Sequence, residues 1–268
     1  MFTTRLLHAH LGFPDAQALN VKCRIVALAT SEFAWRPDGY RIGVISGSIA
    51  VGAENVYRPQ QDSRLLIDAL TGNDEVAGRR VVDLCAGSGV VAVAAAELGA
   101  SEVTALDISP SAVRCTQANA LAAQVDVDAR LGSWTQALEH EPFDIVVCNP
   151  PYVPVAPETS AGVIVSTGPM ASWNGGPDGR LILDPLCRAA AEMLAEGGSL
   201  YLVQSEFADV AESVRLLRAG GLNVDVYVTQ RIPFGPVLHS QATWLRDTGR
   251  LTDDRTEEDL VVIRADKP

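Results

Sequence analysis

The stretch Phe143-Asp144-Ile145-Val146-Val147-Cys148-Asn149-Pro150-Pro151-Tyr152 constrains the fold of this chain more than any other. Its apolar, β-branched start reads as a short buried strand. Two prolines then end that strand, because proline donates no ladder hydrogen bond and fixes its own φ. The chain continues there as a stiff, non-helical loop carrying an amide and a phenol. In open α/β sheets ligands bind just beyond the carboxyl ends of strands. The loop therefore marks an edge at which chemistry is expected.

The rest of the chain supplies the alternation such a sheet needs. Arg64–Leu70 is an amphipathic helix with Asp62 or Ser63 as its expected N-cap. Strands are predicted at Val81–Leu84, Glu102–Leu106, Val125–Leu131, Phe143–Cys148, Ser199–Gln204, Leu222–Val228 and Glu258–Arg264. Between them lie a nearly all-apolar helix at Val90–Leu98 and one opening at Ser109-Pro110. A further helix within Pro177–Leu194 stops at Gly197-Gly198, and another spans Phe207–Arg218. The pattern predicts an α/β, Rossmann-like, seven-stranded and mostly parallel sheet with helices on both faces. Residues 1–55 lack this rhythm. They read as a small β-rich or mixed appendage serving as a substrate-recognition or lid segment, ahead of a catalytic domain at 56–268.

Composition narrows the function. Of 268 residues, 21 are Lys or Arg and 33 are Asp or Glu, a formal net charge of −12. Such a surface disfavours tight, sequence-independent binding of nucleic acid. No window is apolar enough to span a bilayer and the first residues do not resemble a signal peptide, so a cytoplasmic protein is expected. The five cysteines are scattered without a CxxC pair, which fits reduced thiols. His8 and His10 have no Cys or acidic companions and read as a solvated tail, so no metal site is expected. Asp253-Asp254 and Glu257-Glu258-Asp259 read as a solvated acidic turn, and Arg231–His239 as a stiff connection that could line a substrate mouth.

The cofactor loop is Val81-Val82-Asp83-Leu84-Cys85-Ala86-Gly87-Ser88-Gly89, a strand, a tight turn and a helix start. Gly87, Gly89 and Ala92 satisfy the loose dinucleotide pattern, and Asp107 lies where an acid that holds a ribose is expected. Asp83 separates the candidate ligands. A carboxylate beside a pyrophosphate sets like charges together, whereas a ligand bearing a sulfonium and an ammonium is attracted. S-adenosylmethionine carries both cations, an adenosine for Asp107, and a carboxylate for the helix start near Ser88. The competing reading of Asp83 is a helix cap or turn residue.

Together, Asp83–Gly89, Asp107 and Asn149-Pro150-Pro151-Tyr152 resemble a class I S-adenosylmethionine-dependent methyltransferase. More narrowly, they resemble the HemK/PrmC group, which methylates the glutamine side-chain amide of peptide-chain release factors. Val56–Ser63 is similar to that group's pre-domain motif and Gly175-Gly176-Pro177-Asp178-Gly179 to its GGxDG stretch. The resemblance covers residues from about 55 onward. It implies a cofactor site of Asp83, Cys85, Gly87, Gly89, Asp107, Ile108, Ser133, Trp134 and Asn149. Ser133 stands where the group usually has an acid near the adenine, and Gln61 where it often has Glu.

The loop also suggests a mechanism. A planar NH2 nitrogen is a poor nucleophile because its lone pair is delocalised. The Asn149 side-chain oxygen and the Pro150 carbonyl are in-plane acceptors able to hold its two N–H groups, while Pro151 and Tyr152 contact the substrate and the Tyr152 ring stacks on the flat group. Asn149, Pro150 and Tyr152 are thus the expected catalytic residues, acting by positioning and electrostatics. The expected reaction is N-methylation of a protein glutamine amide, with a release factor as partner. An exocyclic amine of a nucleic-acid base and a small metabolite remain as alternative acceptors.

Overall fold

The computed structural model describes residues 56–72, 75–157, 172–252 and 254–268. The appendage expected at residues 1–55, including His8, His10 and Cys23, lies outside these. The described chain opens with α1 (Gln61–Thr71) and then alternates: β1 (Arg80–Leu84), α2 (Val90–Glu97), β2 (Glu102–Asp107), α3 (Pro110–Ala123), β3 (Asp128–Leu131) and β4 (Phe143–Cys148). After β4 come α4 (Leu183–Met193), β5 (Leu194–Ser205), α5 (Val210–Ala219), β6 (Asn223–Pro233), α6 (Pro236–Asp247) and β7 (Glu257–Asp266).

The seven strands form one sheet in the order β3-β2-β1-β4-β5-β7-β6. β1 to β5 pair in parallel, while β7 runs antiparallel between β5 and β6. The chain leaves β1 toward β2 and β3, then crosses back to β4 on the other side of β1. That reversal opens a crevice at the carboxyl ends of β1 and β4, the place where open α/β sheets bind ligands. Register sets its edges: Leu84 pairs Cys148, so Cys85 and Asn149 leave the sheet side by side. Leu84 also pairs Leu106, which puts Asp107 beside the same turn.

Burial explains the central strands. Val81, Val82, Leu84, Val146, Val147, Leu200 and Leu202 are fully buried, as expected of strands covered on both faces. α2 is apolar almost throughout, and Val90 to Ala95 are all buried. α3 starts as its sequence requires: Ser109 accepts a hydrogen bond from Ala112 N–H at 3.4 Å and Pro110 takes the first helical position. Among the described residues no helix is long and apolar enough to cross a membrane.

Several local expectations are corrected. α1 begins at Gln61 with Gln60 in the cap position, so Asp62 and Ser63 lie inside the first turn rather than capping it. β3 begins at Asp128, not Val125. Gly197-Gly198 does not end a helix; α4 stops at Met193 and the glycines sit within β5, where the β4 register shifts between Phe143 and Ile145. β6 runs on to Pro233, and Pro236 opens a helix that sequence reading took for a stiff connection. The acidic segment 257–259 is no solvated turn: it starts β7, and Glu258 is buried.

Candidate active site

A cavity of about 460 Å³ lies at the crevice. Its walls include Asp83 on β1 with Cys85 and Gly87 after it, Asp107 at the end of β2 with Ile108 next, and Ser133 and Trp134 after β3. Asn149, Pro150, Pro151 and Tyr152 close it from β4. Gly89 alone of the expected site residues is not in the wall. It caps α2 and lies beneath the loop, with the Thr116 side chain where its own Cβ would stand.

The loop after β1 is held from α3, a support that sequence reading missed. Thr116 Oγ1 donates to Gly87 O at 3.2 Å and Asn119 Nδ2 to Ser88 O at 2.7 Å. Gly87 has φ +58, and a Cβ built on it meets nothing closer than Cys85 O at 4.0 Å. A side chain there would project into open space that a ligand can use. Gly87 N–H donates to Asp107 Oδ2 and Ser109 N–H to Asp107 Oδ1, both at 2.8 Å. Burial raises the Asp107 carboxyl, and these two N–H groups counter it.

Asp83 both caps a helix and faces the cavity. Its Oδ2 accepts from Ala92 N–H at 3.0 Å, capping the first turn of α2 from outside the helix, and the residue also lines the cavity. Burial pushes its carboxyl up to about 8, with the Ala92 N–H opposing and the Asp107 charge adding. Ser133 Oγ accepts from Thr135 N–H at 3.4 Å and so caps its own turn, with Trp134 half-buried beside it.

At the other end, the pre-domain motif and the loop after β4 are tied together. Tyr152 Oη and Tyr57 Oη both donate to Asp62 Oδ2, each at 3.1 Å. Gln60 Nε2 supports the Tyr57 oxygen at 2.9 Å. Burial first, and then the Asp62 charge, raise both phenols, so they remain donors. Asn149 Nδ2 donates to Ser63 Oγ at 3.4 Å, which leaves Asn149 Oδ1 without a protein donor among the described residues. Tyr152, expected to stack on a substrate, lines the cavity, and its phenol anchors the loop.

The glycine stretch 175–179 locks the chain just past Tyr152. Val155 N–H donates to Gly176 O and Gly175 N–H to Val153 O, both at 2.9 Å. Gly179 has φ +78, and a Cβ there would stand 2.5 Å from Tyr152 O. Arg180 comes next, buried, and ties this stretch to α4, to the segment after β5 and to α5 through Asp184, Ala208 O, Asp209 O and Ser213. Glu258, which the sequence places in a solvated acidic turn, also lines the cavity. Ser205 Oγ donates to its Oε2 at 2.5 Å. Burial raises its carboxyl to about 7, with the Ser205 bond opposing.

The charge of the wall is one-sided. Asp62, Asp83, Asp107 and Glu258 line the cavity, and no Lys, Arg or His is among the described lining residues. A diphosphate would meet only like charge there. S-adenosylmethionine fits this donor set: a sulfonium and an ammonium match the acids, hydroxyls suit Asp107, and the space over Gly87 admits a close approach.

Comparison with known proteins agrees. Residues 57–167 match the family model described as methyltransferase small domain. Mouse methyltransferase HEMK2 is 33% identical over 184 residues, covering 66% of this chain and 84% of its own. The release factor glutamine methyltransferase of Bordetella pertussis is 32% identical over 202 residues, 73% of this chain and 74% of its own. The structure of the E. cuniculi Mtq2–Trm112 complex, which is responsible for methylation of the eRF1 termination factor, is similar in fold. It superposes with a TM-score of 0.53 at 21% identity, covering 80% of this chain and 99% of that one. The chain belongs to the HemK/PrmC-like family of class I S-adenosylmethionine-dependent methyltransferases.

Proposed function

We propose that this protein methylates the side-chain amide nitrogen of a glutamine in a peptide-chain release factor. Its relatives among the release factor glutamine methyltransferases support that choice of substrate. The observation that carries the chemistry is Asn149, whose amide NH2 is engaged by Ser63 while its oxygen is left for a donor from outside. S-adenosylmethionine, when bound, supplies an electrophilic methyl group. Asp83 and Asp107 would hold its ammonium and ribose ends respectively, and Trp134 would cover the purine.

The protein's part is to present the nitrogen. Asn149 Oδ1 and the Pro150 carbonyl accept its two N–H groups, and neither Pro150 nor Pro151 has an N–H to compete. Fixing both bonds in the plane turns the nitrogen face toward the methyl and removes the search for that orientation. The same oxygens stabilise positive charge as it grows on nitrogen. Tyr152, pinned through Asp62, keeps the loop from relaxing. The acid-only wall and the net charge of −12 disfavour a polynucleotide substrate.

The test is labelled methyl transfer to a purified release factor, with nucleic acid and small-metabolite pools in parallel, followed by mass mapping. One methyl on a glutamine side chain is expected. Label found only in the nucleic-acid or metabolite pool would overturn the reading.

A further inference from the structure

The four cavity carboxylates are not equally engaged. Both oxygens of Asp107 accept main-chain N–H groups. Asp62 Oδ2 takes two phenols, and its Oδ1 takes the Ser63 hydroxyl at 3.3 Å. Asp83 lies near the end of β1, at the cofactor end. Glu258 is different. It starts β7, which runs antiparallel and so brings its first residues to the edge where the parallel strands finish. Ile232, its partner on β6, and Leu260 line the cavity with it. Ser205 holds Oε2, while Oε1 has no protein donor among the described residues. Its charge is felt by Tyr57 and Tyr152, which places Glu258 at the Asn149 end rather than the cofactor end.

A nitrogen that gains a methyl group while keeping both hydrogens is cationic until one proton leaves. No basic side chain is among the described lining residues, so the acceptors at hand are the carboxylates and water. We propose that Glu258 is the proton acceptor of the reaction: once the methyl is on nitrogen, one of the two N–H groups held by Asn149 and Pro150 turns to Oε1 and sheds its hydrogen there. This rests on the methyl-transfer reading of the site. The step balances without a further reactant: one N–H bond breaks, its electron pair stays on nitrogen, and the carboxylate becomes the neutral acid. That acid returns its proton to solvent between turnovers. Before the proton moves, the ionised carboxylate opposes the charge growing on nitrogen.

The surroundings suit a group that exchanges protons near neutrality. Burial raises Glu258 to about 7; the charges of Glu206, after β5, and Asp62, on α1, push in the same direction. The Ser205 hydroxyl and Arg255, just before β7, push the other way. Tyr57 and Tyr152 complete the surroundings as neutral phenols.

The test measures kcat against pH for the full chain with its release-factor substrate, in wild type, E258Q and S205A. Wild type should lose rate below about pH 7 as the carboxylate protonates. E258Q keeps a side-chain oxygen for Ser205 and should lower kcat at pH 8 by about 10²-fold, with little change in KM and no acid limb. S205A removes a bond that favours the ionised form, so its limb should move to higher pH. A purely structural role would not move it. Independently of turnover, carbon-13 labelling of glutamate carboxyls should reveal a resonance, missing in E258Q, that titrates near pH 7 and moves up in S205A. Wild-type kcat and an unchanged acid limb in E258Q overturn the assignment of Glu258, as does a Glu258 resonance that titrates in the ordinary carboxylate range. A wild type that methylates no glutamine overturns the proposed function and this inference with it.

Discussion

Tyr152 and Asp62, 90 residues apart in sequence, meet through a 3.1 Å hydrogen bond between the phenol and carboxylate Oδ2. Because Tyr57 shares that oxygen, one carboxylate ties the segment before the domain to the loop after β4. Hydrogen bonds to charged groups contribute about 1.5–3 kcal/mol. Y152F should therefore destabilise the protein by about that amount, and D62A by about 3 kcal/mol or more, since it strands two phenols. Denaturant unfolding measures both. Equal midpoints for Y152F and wild type would show that the bond contributes nothing.

Asn149 separates binding from turnover. In N149A the cofactor end of the cavity keeps its acids and its open space above Gly87. Cofactor affinity by calorimetry should change little, while methyl transfer should fall about 10²–10³-fold, the range for losing one preorganised polar contact. Turnover within a few-fold of wild type would remove Asn149 from the mechanism.

Asp83 makes ligand binding and stability respond to pH in opposite ways. Its folded carboxyl is raised to about 8, against about 4 in an unfolded chain. Between those values the folded state holds a proton that the unfolded state has lost. The stability tied to Asp83 is therefore present below about pH 4 and falls as pH rises toward 8. Glu258, raised to about 7, acts in the same sense over a narrower window. A cationic cofactor favours the ionised form, so affinity should increase up to about pH 8 and binding near pH 7 should release a proton. Calorimetry in two buffers of different ionisation heat measures that release, and D83N should diminish it. Equal release by D83N and wild type would exclude Asp83 as its source.

Two glycines should fail in different ways. G87A puts a methyl into the open space over the loop at a left-handed backbone, with a stability cost of about 1–2 kcal/mol and a marked loss of cofactor affinity. G179A sets its Cβ 2.5 Å from Tyr152 O, where backbone must move. It should cost more stability, about 2–4 kcal/mol, and reduce turnover more than cofactor affinity. Interchanged outcomes would contradict the geometry.

What was legible in the sequence was whatever local chemistry determines. Phe143–Cys148 announces a buried strand and its prolines announce the stop; Ser109-Pro110 announces a helix start, and the structure has both. Acidic and glycine residues at strand ends pointed to one crevice because parallel strands finish on one edge. The errors arose where the partner is distant or the signal double-edged. Asp62 looks like a cap because caps are local, yet the groups that engage its Oδ2 are phenols at positions 57 and 152. Pro236 read as part of a stiff connection, although proline is favoured at a first helical position and Gly235 serves as the cap. Glu258 was hidden between Glu257 and Asp259. The strand period of two, exposed then buried, was the signal that could have found it.

The place of β7 also bears on the order in which the molecule can be finished. β6 leaves the ribosome before β7, yet among the described strands β7 is its only neighbour. Until β7 emerges, β5 has an open edge, β6 has no partner, and the wall that carries Glu258 does not exist. A nascent chain can assemble the parallel half of the sheet and the turn after β1, and with them the greater part of the cofactor's berth. The wall that carries Glu258 follows, when one antiparallel strand slides between two waiting ones.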